Sequence, residues 1–226
     1  MMALMRSLLL LLLIPFFANS SPDFRYKTVN LRGWEVHFET ALLEEEALFQ
    51  EVNLLMRAKL REIDSRLPKS VLRELRKVPI YFHLNRESNP GACYHPSSEW
   101  LKENKLPERW AQSVEFGVAE NFLDWIHVQP SMVLHEKAHA YHHRVLGYGN
   151  AQILQAYEKA MSEGLYDQTL YALGGTVPGY AATNVQEYFA ETSEAYWGTN
   201  DAFPFVRGEL MRHDPTIAEL HSRLWQ

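Results

Sequence analysis

The chain has 226 residues, with 22 basic and 28 acidic side chains and a single cysteine. Its length suits one domain, and 46% hydrophobic residues suffice to bury a core, which excludes a disordered tail. A formal charge of −6 and a pI near 5.9 argue against nucleic acid or an anionic membrane as partner, and one cysteine excludes an internal disulfide and a cysteine-rich zinc module.

Residues 1–20 read as a secretory signal peptide. Arg6 precedes the apolar run Leu8–Ile14, and Ala18-Asn19-Ser20 offers small residues for cleavage after Ser20. The rival, an uncleaved anchor, suffers from the shortness of the run against the about 20 apolar residues a span needs. The expectation is a secreted protein, extracellular or periplasmic, with residues 21–226 forming one domain. Cys93 then has no partner and reads as a buried, inert thiol.

Phe24–Asn30 and Trp34–Phe38 read as a hairpin turning at Arg32-Gly33. Residues 41–66 predict a long helix, with apolar positions three and four apart. A short helix follows Pro68 and ends at Lys77, and Val78–Leu84 is a buried strand. The stretch from Ala92 to Pro107 reads as irregular, so that Tyr94-His95-Pro96 and Trp100 fall on a surface loop. Ser113–Gly117 is a further strand, placed at a sheet edge where an extended peptide can pair. Helices are expected from Pro130 to Leu146, stopped by Gly147, and over Ala151–Ser162. Leu173–Thr183 is a glycine-rich loop. Val185–Trp197, Phe205–Arg212 and Pro215–Trp225 are helical. Strands come first and helices later, which predicts an α+β fold with a small N-terminal mixed sheet and a helical C-terminal half.

Chemistry concentrates in His135-Glu136-Lys137-Ala138-His139, an HExxH pattern. Four residues advance a helix by about 400°, so both imidazoles share one face and can converge on Zn²⁺. Glu136 lies one step round, placed to take a proton from a water at the metal. Lys137 is unusual in such a motif, and at about 200° from His135 it projects from the opposite face. Three glutamates compete for the third ligand. Glu158 and Glu163 lack supporting neighbours. Glu187 is ranked first, because Glu191 follows one turn later and can accept a hydrogen bond from a ligand histidine. His142 returns to the face of His135 and reads as a partly buried polar side chain. The remaining histidines have no spacing that implicates them.

The HEKAH motif, the loop bearing Tyr180, and Thr183-Asn184-Val185-Gln186-Glu187-Tyr188-Phe189-Ala190-Glu191 together resemble the catalytic domain of anthrax lethal factor and its relatives. The resemblance spans roughly residues 130–197. It implies a zincin-like fold and a gluzincin zinc peptidase with ligands His135, His139 and Glu187. In that family the tyrosine matching Tyr180 faces the metal. A phenol there also suits stabilisation of a developing oxyanion on chemical grounds alone. The expected partner is a peptide or protein substrate, with no membrane after signal cleavage. The other reading is a non-catalytic, zinc-containing binding or structural domain on the same fold.

Overall fold

A computed structural model describes residues 24–226; the signal-peptide reading lies outside the described residues. β1 (Tyr26–Leu31) and β2 (Trp34–Glu39) form the expected hairpin, turning through Arg32 and Gly33, both at positive φ. The predicted long helix is broken at Glu45 into α1 (Thr40–Glu44) and α2 (Glu46–Arg66). α3 (Lys69–Leu75) then leads into β3 (Ile80–Phe82).

The stretch read as irregular is ordered. It forms β4 (Ala92–His95) and α4 (Ser98–Glu103), the latter capped by the Ser97 side chain. A four-residue strand between Pro90 and Pro96 is too short for a hydrophobic alternation to register. Tyr94 and His95 therefore lie buried on a strand, not on a surface loop.

β5 (Ser113–Phe116) completes a five-stranded sheet of order β1-β2-β3-β5-β4. β2, β3 and β5 run parallel, while β1 and β4 flank them antiparallel. The Ser113–Gly117 run is thus interior, and β4 is the edge strand. The reason is non-local: only the pairing of β4 with β5 moves the edge outward by one strand.

Alternation gives the sheet two different faces. Val36, Phe38, Ile80, Phe82, Val114 and Phe116 point into the main core, together with side chains of α2, of α5 (Ala119–Trp125) and of α6 (Met132–Tyr141). Tyr81 and Glu115 point the other way. The helical half adds α7 (Ala151–Ser162), α8 (Val185–Trp197), α9 (Arg207–His213) and α10 (Pro215–Leu224). A short ribbon pairs β6 (Thr169–Leu170), just before the glycine-rich loop, with β7 (Thr176–Val177) inside it. Tyr166, Tyr188, Leu210 and Ile217 anchor a second core there. The whole is an α+β fold with a small mixed sheet. No helix among the described residues is long and apolar enough to cross a membrane.

Candidate metal centre

α6 carries the HExxH residues, and its last turn widens into a π-helical turn (142–146) before Gly147 ends it at φ 78°. α8 carries Glu187. The Asn184 side chain accepts from the Gln186 and Glu187 backbone N–H groups at 2.9 Å each, so the cap starts the helix and sets Glu187 in its first turn. The two helices pack antiparallel. Ser131, just before α6, accepts a hydrogen bond from Thr199 N at 3.0 Å, just beyond α8. Gly198 touches Ser131 so closely that a Cβ there would fall on its hydroxyl.

This packing brings together the three predicted ligands. His135 Nε2 is 3.1 Å from Glu187 Oε2 and 3.0 Å from His139 Nε2, and His139 Nε2 is 3.3 Å from Glu187 Oε2. A tetrahedral metal with bonds of about 2.0–2.1 Å separates its ligands by about 3.3 Å, so the triangle fits one ion and these residues can hold it. Glu158 and Glu163 are exposed and take no part.

Electrostatics point the same way. Burial disfavours a charged His135, but the hydrogen bonds and charges of Glu187 and Glu194 outweigh it and push its pKa well up. Burial raises Glu187, yet hydrogen bonds from both histidines prevail and hold it below the carboxylate range. The potential here favours a cation. Burial pushes Glu136 up, a shift opposed by the two histidines and by a hydrogen bond with the Tyr94 backbone.

The hydrogen bond expected at Glu191 goes elsewhere. His135 Nδ1 donates to Glu194 Oε1 at 2.6 Å, while Glu191 Oε1 lies 3.7 Å away. The antiparallel packing explains this, since His135 faces the later turns of α8 and Nδ1 points away from His139. Glu191 is pushed well up by burial and by the charge of Glu194, and Asn200 Nδ2 donates to it at 3.3 Å.

Lys137 projects from the face opposite His135, as its helical spacing predicts. It is 0% exposed. Its Nζ donates to Val78 O at 2.7 Å and sits 5.2 Å from the Trp34 ring centroid. Burial pushes its pKa well down. The amine ties α6 to the segment entering β3.

Tyr180 is 48% exposed on a 3₁₀ turn (180–182), its pKa pushed up to about 12 by burial and by the charge of Glu187. Tyr148 was not singled out in the sequence. Its ring packs against His142 and His143 at the end of α6, and burial with the charges of Tyr94, Glu136 and Glu187 raises its hydroxyl's pKa. The flanking Gly147 and Gly149 were the available signal. His142 is fully buried, with neither ring nitrogen partnered, and its pKa is lowered to about 4 by burial.

β4 borders this centre. Gly91 O and His95 O bond to β5-side N–H groups, so antiparallel periodicity turns the backbone groups of Ala92 and Tyr94 toward the free edge. The Tyr94 hydroxyl shares a 2.9 Å hydrogen bond with His143 Nδ1. Comparisons with protein-family models, curated proteins and solved structures returned no match.

Proposed function

We propose that this chain is a secreted zinc-dependent peptidase of the zincin type, resembling the gluzincins in its His-His-Glu ligand set. One observation carries the reading: three metal-ligating atoms converge within 3.3 Å beside a buried glutamate that is not itself a ligand. His135, His139 and Glu187 would hold the ion. When bound, zinc supplies a Lewis acid that polarises a carbonyl and makes water acidic near neutral pH.

Glu136 is the general base. Its raised pKa brings its carboxylate nearer to working pH, so it can take a proton from water and return it to the leaving amine nitrogen. Tyr180 keeps its proton at neutral pH and can donate a hydrogen bond to the carbonyl oxygen as charge develops there. The outer edge of β4 suits an extended peptide, since the outward backbone groups of Ala92 and the Tyr94 carbonyl can pair with a substrate strand beside the Tyr94 N–H that Glu136 holds. The Leu8–Ile14 run behind Arg6 favours export.

The test is Glu136→Gln in the mature chain. It should retain metal and lose hydrolysis of a peptide library by a factor of about 10³ or more. A variant that cleaves as well as the parent removes Glu136 as base. Metal retained in both with no cleavage by either would favour a non-catalytic binding domain.

A further inference from the structure

The face of the sheet turned away from the main core carries a second group of unlike ligand atoms. Cys93 and His95 stand two apart on β4 and so project to one side. Glu115 lies opposite Cys93 in the β4–β5 register. His95 Nε2 is 2.6 Å from Glu115 Oε2 and 3.4 Å from Cys93 Sγ, and Sγ is 4.0 Å from the same carboxylate oxygen.

The surroundings hold these atoms in place. Glu115 is 0% exposed, and its other oxygen, Oε1, accepts from Arg86 at 2.6 Å and lies 3.4 Å from His83 Nε2. The carboxylate is therefore anchored through one oxygen while the other faces the thiol and imidazole, as metal-binding carboxylates commonly are. The His95 ring stacks between Trp110, at 6.2 Å and 22°, and Trp100, at 6.1 Å and 26°. Glu115 is matched by a single guanidinium, Arg86, so its charge is already balanced, while His83 lies between Glu115 and Glu39. A thiolate would add a negative charge with no partner, which a bound cation would offset. Cys93 is half-buried and Trp100 exposed, so the cluster lies close to the surface.

We propose that Cys93, His95 and Glu115 form a second metal site, distinct from the His135 centre, for a borderline-soft divalent ion of the Zn²⁺ class. Sulfur with nitrogen selects such ions over Ca²⁺ or Mg²⁺. Ideal zinc bonds of about 2.3 Å to sulfur and 2.0 Å to nitrogen and oxygen put the ligand atoms about 3.3–3.6 Å apart. Binding thus requires the His95–Glu115 hydrogen bond to open by about 0.7 Å and the thiol proton to leave to solvent. The site stands whether or not the His135 centre hydrolyses peptides.

Cobalt(II) distinguishes the two sites, because only one contains sulfur. Titrating the metal-free mature chain with Co²⁺ should raise a near-ultraviolet thiolate-to-cobalt charge-transfer band. The band should persist in a His135→Ala, His139→Ala double variant and vanish in Cys93→Ser. Absence of the band at saturating Co²⁺, or its survival in Cys93→Ser, overturns the site. If Cys93→Ser does not fold, the unmodified chain still decides: saturating Zn²⁺ should slow Cys93 alkylation about tenfold or more. An unchanged alkylation rate overturns the proposal.

Discussion

Two polar clusters lie on either side of β4, both built on histidine and glutamate, one with a cysteine added, and completed in different ways. At the His135 centre the short contacts run only among histidines and carboxylates, and two antiparallel helices fix their spacing. At the Cys93 cluster a guanidinium already holds one carboxylate oxygen, and two strands supply the geometry. The difference shows how each site would meet a cation. The helical centre presents a ready triangle and draws the ion by charge. The strand cluster is partly neutralised beforehand and must break an internal hydrogen bond to bind.

The contrast can be broken most sharply with pH. In the metal-free chain His135 holds a proton well above the usual histidine range, and metal must displace it. Below that pKa each unit of pH should lower apparent affinity about tenfold, or about a hundredfold over two units. A metal-binding isotherm flat from pH 8 to 6 in a Cys93→Ser background would contradict this. Next comes Glu194→Gln, which leaves every ligand in place. It should weaken metal at the His135 centre by about 10–100-fold and leave the cobalt–thiolate band unchanged. Equal losses at both sites would mean that the clusters are not independent.

Lys137→Met probes the far side of α6. A buried amine with a lowered pKa costs stability as pH falls below about 10.4, because the unfolded chain takes the proton first. Removing it should raise stability by about 1–3 kcal/mol at pH 7, offset in part by the lost bond to Val78 O. That gain should shrink toward pH 10 in denaturant titrations. A loss of stability at every pH would show that the bond to Val78 outweighs the burial. The smallest effect is expected for Asn184→Ala, which removes the α8 cap at a cost of about 1 kcal/mol and loosens Glu187. Thermal melts with and without metal would read both.

Much of the first cluster was legible because helical spacing is a local signal. His135, His139 and Glu187 each follow from a pattern within a few residues. Glu194 was missed because the choice between it and Glu191 depends on the direction in which α8 crosses α6, which no local pattern encodes. The same limit hid the Cys93 cluster, where two strands far apart in the chain must pair before the ligands meet. β4 and α5 are short and cramped by prolines or irregular flanks, so their periodicity never built up. Tyr148 announced itself only as a tyrosine between glycines.

Gly198 carries a consequence for the spacing of the ligand triangle. It offers no ligand atom, yet its missing side chain lets the end of α8 rest on Ser131, about three turns from Glu187. The residue works as a spacer gauge. Methyl by methyl, a larger side chain would wedge the helices apart and stretch the ligand triangle, shifting preference from small ions toward larger ones. Ion selectivity would then be tuned from a position that no list of ligands contains.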